Sequence, residues 1–190
     1  KKRESRPERI ARILTSDERL YQREFWEFFS VEGMGDMRRF AEIGSDVRGM
    51  NARKRAEACS RVEHDFMAAF DILCHQVPGF RDRLLDAALA GMLSDFSARN
   101  ITWYVNIHRH LNPDSRELSQ REGSYAALLA APSAVTVSVG QNAYRSLIQS
   151  GSLETMSGLL TASEAVLSRA DKKSVTTQLS LLHTLNSYAK

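Results

Sequence analysis

Residues 51–76 constrain this chain most. Ala52, Ala56, Cys59, Val62, Phe66, Ala69, Phe70 and Leu73 recur at spacings of three and four. A helix places such positions on one face, turn above turn. The stretch therefore reads as one long amphipathic helix, with Arg53-Lys54-Arg55 and Arg61 mostly off its apolar stripe. Pro78-Gly79 ends it. The next run, residues 80–98, repeats the pattern and turns Leu84, Leu85, Ala88, Leu89, Met92, Leu93 and Phe96 inward.

The flanking segments extend a helical reading. Thr15 and Glu18 fit a capping box that starts a helix near Ser16. Leu20, Tyr21, Phe25, Trp26, Phe28 and Phe29 make that helix a core-forming element. Gly33 and Gly35 interrupt it, a second helix follows from Asp36 to Ile43, and Gly44 to Gly49 is a loop. Beyond the Asn112-Pro113-Asp114 turn, helices fit 122–131, 140–149, 153–168 and 173–188. The last carries a stripe of Val175, Leu179, Leu182 and Leu185 or Asn186. Two stretches have a strand-like character: Ile101 to Ile107 alternates, and Ala134 to Val139 is rich in Val and Thr.

The expected fold is all-α: a single-domain bundle of about seven to nine helices. Residues 1–14 read as a flexible basic arm and 15–190 as the helical domain, with a lobe boundary placed near 111–122. A minor β pairing of 101–107 with 134–139 is the local alternative. No internal repeat stands out.

Composition narrows the class. With 43% apolar and 26% charged residues, wholesale disorder is excluded. No apolar run approaches the roughly 18 residues of a membrane-spanning helix. The charged opening carries no secretory signal, and a start at Lys1 in place of methionine suggests trimming. Cys59 and Cys74 read as reduced thiols on apolar helix faces, which points to the cytoplasm.

Catalytic and metal patterns are weak. His64-Asp65 has the paired-ligand look of a phosphohydrolase site, but no histidine precedes it. His108 and His110 would share a face on a strand and diverge on a helix, with His75 or Asp114 as a third ligand. Cys74-His75 are sequence neighbours that point apart on a helix. Gly33-Met34-Gly35 lacks a preceding strand and a third glycine. The expectation is no enzyme activity, no metal and no cofactor.

Charge is more informative. Residues 1–55 hold 14 of the 26 basic residues against 10 acids, while 123–190 hold five basic residues and three acids. Arg38-Arg39, Arg53-Lys54-Arg55, Arg99, Arg109 and Lys172-Lys173 form dispersed basic groups able to neutralise a phosphate backbone. Trp103 and Tyr104, near Arg99 and Arg109, offer stacking surfaces for unpaired bases, with burial in the core as the default.

Several segments in order resemble the small helical subunit of the type I-E CRISPR effector complex (Cascade). They are Leu20-Tyr21 and Phe25-Trp26 with Gly35 and Arg38-Arg39; Ala69-Phe70 to Leu73 with Leu84 to Asn100; and Gly123 to Ala130 with Tyr144-Arg145-Ser146-Leu147-Ile148 and Leu159 to Leu167. The resemblance implies a non-enzymatic, all-helical subunit of an antiviral-defence ribonucleoprotein. In that family the subunit packs along guide RNA, and its basic surface helps hold displaced DNA. Arg38 and Arg39 match its paired arginines and Arg145 falls in its basic late helix. Gln149, Ser150, Thr155 and Ser157 stand where the family is Arg-rich, and the chain is longer around 44–65.

The leading expectation is a nucleic-acid-associated subunit with protein partners, contacting single-stranded DNA or RNA through Arg38, Arg39, Arg53, Lys54, Arg55, Arg99, Arg109 and Arg145. The alternative is a helical protein-interaction module whose nearly uncharged region 123–190 presents an apolar face. A third reading is a metal-dependent hydrolase using His64, Asp65, His108 and His110.

Overall fold

A computed structural model describes residues 3–33 and 49–188. Every regular element among them is helical. The helix expected over 36–43, the loop after it, and Arg38 and Arg39 lie outside the described residues. The chain divides into two units, Lys1–Gly91 and Met92–Lys190.

The first unit opens with α1 (Arg6–Thr15), where the sequence suggests a flexible arm. Its start is fixed by a capping box: the Ser5 hydroxyl accepts from the Glu8 amide at 3.4 Å, and the Glu8 carboxylate accepts from the Ser5 amide at 2.6 Å. Ion pairs engage its charges, Arg12 with Glu4 at 2.8 Å and Arg6 with Asp65 at 3.3 Å. Ala11 is buried, and α1 packs along α3 (Ala52–Gln76). Thr15 therefore ends a helix instead of starting one, and its hydroxyl donates to the Ala11 carbonyl at 3.0 Å. Asp17 takes over the capping role by accepting from the Leu20 amide at 3.0 Å.

The aromatic segment then runs as a π-helical turn (Leu20–Glu24), a short α2 (Phe25–Glu27) and a 3-10 turn (Phe28–Ser30). Phe25 and Phe29 are buried by this path, while Phe28 is left exposed. Phe25 meets Phe70 of α3 and Phe80 of α4 (Phe80–Leu93), with ring centroids 6.3 and 6.1 Å away. Trp26 lies 5.3 Å from Phe80, and the Arg83 guanidinium sits 4.5 Å over the Trp26 ring. The inner face of α3 is Ala58, Val62, Met67, Ala69, Phe70 and Leu73; Ala52 and Ala56 are exposed. Helix α4 buries Leu84, Leu85, Ala88, Leu89 and Met92 but ends at Leu93, short of the expected residue 98.

The second unit comprises α5 (Ala98–Leu111), α6 (Ser115–Ser119), α7 (Glu122–Leu129), α8 (Ala134–Ser150), α9 (Met156–Leu167) and α10 (Lys172–Tyr188). Both strand-like stretches are helical. In α5 the buried residues include Trp103, Tyr104, Ile107, His108 and Leu111, a three-and-four spacing that outweighs the apparent alternation. In α8 Thr136, Val137 and Val139 are buried while Val135 is exposed, and the packing of the buried three overrides the strand preference.

Helix α7 packs on α8 and on α9; α8 also packs on α10 and on α5; α9 packs on α10. Two consecutive hairpins, α7–α8 and α9–α10, are thus stacked first helix on first and second on second. That is the arrangement of helical-repeat proteins, here without visible sequence repetition. Gly140 permits the close approach of α7: a Cβ there would lie 2.9 Å from the Tyr125 carbonyl oxygen.

Buried polar groups fix how the hairpins meet. The Gln141 amide donates to the Ser174 carbonyl at 2.8 Å and to the Gln178 side-chain oxygen at 3.1 Å. Gln178 donates to the Ser163 hydroxyl at 2.8 Å, and Ser163 donates to the Leu159 carbonyl at 2.7 Å. Every link is satisfied, as buried polar groups require. At the entry to α9, the Glu122 carboxylate accepts from the amides of Glu154 at 2.9 Å and Thr155 at 3.1 Å. Arg169 donates to the carbonyls of Ala131 and Pro132 at 2.7 and 2.8 Å and pairs with Asp171 at 3.0 Å. Asp171 in turn accepts from the Ser174 amide at 2.9 Å, and these bonds hold its carboxyl below its ordinary pKa.

Candidate binding groove along α8

The C-terminal end of α5 and the N-terminal end of α10 flank α8, and two adjoining depressions lie on the surface they form. The first, about 190 Å³, is lined by His108, Arg109, Asn112, Asn142 and Ser146 with apolar Pro113, Leu118, Val139 and Ala143. The second, about 210 Å³, is lined by Arg109, Val135, Ser138, Gln141, Asp171, Lys173 and Thr177 among others. Arg109 borders both. The lining positions on α8 are displaced by five to six residues between the two, roughly 8 Å along the axis at 1.5 Å per residue.

Local structure places each group. Helix α5 ends at Asn112 in the left-handed conformation, φ 44°, which asparagine tolerates, and Pro113 stops its continuation. Arg109, one turn earlier, projects from the exposed side. His108 is only 8% exposed, and its Nε2 lies 2.8 Å from the Tyr125 hydroxyl. Burial, helped by the Arg109 charge, lowers its pKa to about 4, so the imidazole is neutral and forms part of the groove floor. Lys173 stands in the first turn of α10 beside Asp171, whose carboxylate is already engaged by Arg169 and the Ser174 amide. Among the described residues, Arg109 and Lys173 form no ion pair. The groove therefore has mixed polar and apolar walls, two cations, and one carboxylate, Asp171, that is already engaged by Arg169 and the Ser174 amide.

The other sequence-derived candidates do not gather there. Arg53 is exposed and pairs with Glu57 at 3.1 Å; Lys54 is exposed beside it. Arg55 is half-buried, donates to the Met50 carbonyl at 3.2 Å, and has a buried Nε with no acceptor among the described residues. Arg99 is exposed at the start of α5. Arg145 is half-buried and donates to the Asn142 side chain at 3.2 Å. Trp103 and Tyr104 are 2% and 0% exposed, so neither offers a stacking platform, and burial raises the Tyr104 pKa to about 12. Both belong to the core.

A family model described as a domain of unknown function (DUF6493) matches residues 1–174. The chain belongs to that family. No curated protein and no solved structure matches it.

In this DUF6493 chain the hydrolase candidates belong to two different units, His64 and Asp65 to the first and His108 and His110 to the second. His64 is exposed, while its neighbour Asp65 is paired with Arg6. His110 is exposed whereas His108 is buried, the divergence expected of a helix. His75 donates from Nδ1 to the Asp71 carbonyl at 2.7 Å. Among the described residues no group of three or more His, Cys, Asp or Glu side chains is placed to hold a metal, and no helix is long and apolar enough to cross a membrane. The groove residues that sequence reading passed over are Asn112, Ser138, Gln141, Asn142, Ser146 and Thr177. Only Asn112, in its Asn-Pro turn, carried a local signal.

Proposed function

We propose that this chain is a non-catalytic protein-interaction module of stacked helical hairpins, and that the α8 groove takes an extended acidic peptide segment. The observation that carries this is the pair of depressions meeting at Arg109. In an extended peptide, alternate side chains point the same way and recur at about 7 Å. That spacing approaches the displacement of the depressions. The polar walls suit main-chain hydrogen bonds, and Arg109 and Lys173 suit carboxylates. Helical-repeat folds commonly use such faces for binding.

A second reading, contact with nucleic acid, is favoured by the same two cations. A small subunit of a CRISPR effector complex is its narrower form, and would add Arg38, Arg39 and Arg145. Two cations neutralise about two phosphates and give a log–log salt slope near −2, whereas tight backbone binders use roughly 6–10 contacts. The absence of Trp103 and Tyr104 from the surface removes base stacking from this region. The peptide reading therefore leads.

Fluorescence anisotropy with a labelled Glu/Asp-rich peptide and with a labelled oligothymidylate separates the two. The module predicts saturable peptide binding, weakened at least tenfold by Arg109→Ala. Oligonucleotide binding that is steeply salt-dependent, with no peptide binding, would establish the second reading instead.

A further inference from the structure

The two depressions of the α8 groove differ in chemistry, and both lie within the second unit. The first has an apolar floor. Leu118, Val139 and Ala143 are buried yet line it, and Pro113 adds to them. The polar groups on that floor already have partners. His108 Nε2 lies 2.8 Å from the Tyr125 hydroxyl, burial keeps the imidazole uncharged, and the Asn142 side-chain oxygen accepts from Arg145 at 3.2 Å. An apolar group can cover such a surface without stranding a donor or acceptor. In the second depression Gln141 is buried, and its amide is taken up by the Ser174 carbonyl and Gln178. Asp171 is engaged by Arg169 and the Ser174 amide. The Arg109 guanidinium and the Lys173 ammonium remain as the groups that can meet an anion there.

We infer that the groove reads a two-part peptide pattern: a branched aliphatic side chain seated in the first depression, and a carboxylate two residues away on the same chain seated in the second. This rests on the acidic-peptide reading above and narrows it. Arg109 borders both depressions, whereas Lys173 borders only the second, which assigns the carboxylate to the second. A carboxylate in the first would set its charge against the apolar floor, at a desolvation cost that a leucine does not carry. The spacing follows from extended geometry. Side chains two residues apart leave one face of the peptide at about 7 Å, close to the roughly 8 Å between the depressions, and adjacent ones leave opposite faces. A separation of one or three residues therefore turns one of the two groups out of the groove. Charge brings the peptide to Arg109 and Lys173, and the apolar seat separates one acidic sequence from another.

The test is fluorescence anisotropy of the full chain with labelled serine-rich peptides carrying one leucine and one glutamate two residues apart, in both orders. Each buried methylene is worth about a fourfold change in affinity. In the order that binds more tightly, replacing the leucine with alanine should therefore weaken binding by about fivefold or more, and so should inserting one serine between the pair. Ser146 is exposed and lines only the first depression. Ser146→Lys should reverse the preference there, so that a peptide with glutamate in place of the leucine becomes the tighter ligand. Asn142→Lys, at another exposed lining position, serves if that variant does not fold. Peptides that bind but lose less than that when the leucine or the spacing is changed, or a folded lysine variant that still prefers leucine, overturn the inference and leave the acidic-peptide reading standing. If none of the peptides binds, that reading fails and this inference with it.

Discussion

The two units use charge in opposite ways. The first contains Arg6–Asp65, Arg12–Glu4, Arg19–Glu24, Arg23–Glu27 and Arg53–Glu57 ion pairs around an aromatic core. The second has few charges, yet Arg109 and Lys173 line a groove. Basic residues packed among acids satisfy one another, so their number says little about binding. A lone arginine on a polar surface keeps its charge for a ligand. Exposed ion pairs contribute about 0–1 kcal/mol each, so the first unit rests mainly on its rings.

Predictions that sharpen this contrast run from large to small. Phe70→Ala, at a position with no exposed surface, should cost about 3–5 kcal/mol in chemical denaturation. A loss below about 1 kcal/mol would mean that the aromatic cluster does not carry the first unit. The pH dependence of stability should report His108. Its pKa is lowered on folding, to about 4, so the unfolded chain binds the proton more tightly. The stability it contributes is full above its ordinary pKa of about 6.5 and is lost as pH falls from there toward 4, up to about 3 kcal/mol. Replacing it with the neutral Gln should flatten that window.

Gly140→Ala should destabilise the second unit by about 1–3 kcal/mol, because the new methyl group meets backbone at 2.9 Å. An increase in melting temperature would show that helix propensity wins and that α7 and α8 move apart easily. Smallest of all, Arg53→Ala should change stability by no more than about 0.5 kcal/mol, since its partner Glu57 is an exposed i,i+4 neighbour.

Much of this architecture was legible in the sequence. The long helix through Phe70 follows from spacing, and the helices read over 122–131, 140–149, 153–168 and 173–188 fall on α7 to α10, although α8 starts earlier, at Ala134. What was not legible depended on residues distant in sequence. In α10 the stripe read from the sequence, Val175, Leu179 and Leu182, is the partly exposed one. The buried stripe includes Ser174, which hydrogen-bonds Asp171 just before the helix, and Gln178, whose burial is offset by Gln141 and Ser163 on other helices. Trp103 and Tyr104 stand near Arg99 and Arg109 in the sequence, which suggests stacking on bases, but burial in the core, the default for such rings, prevails. The groove itself joins α5, α8 and α10, so its chemistry existed in no single segment.

The central claim is that binding resides in the α8 groove and not in the Arg53-Lys54-Arg55 cluster. The direct measurement is the affinity of a labelled acidic peptide for two variants of the full chain. Replacing Arg109 and Lys173 with Ala should weaken binding by at least tenfold, while replacing Arg53, Lys54 and Arg55 with Ala should change it less than twofold. The reverse ranking would contradict the account.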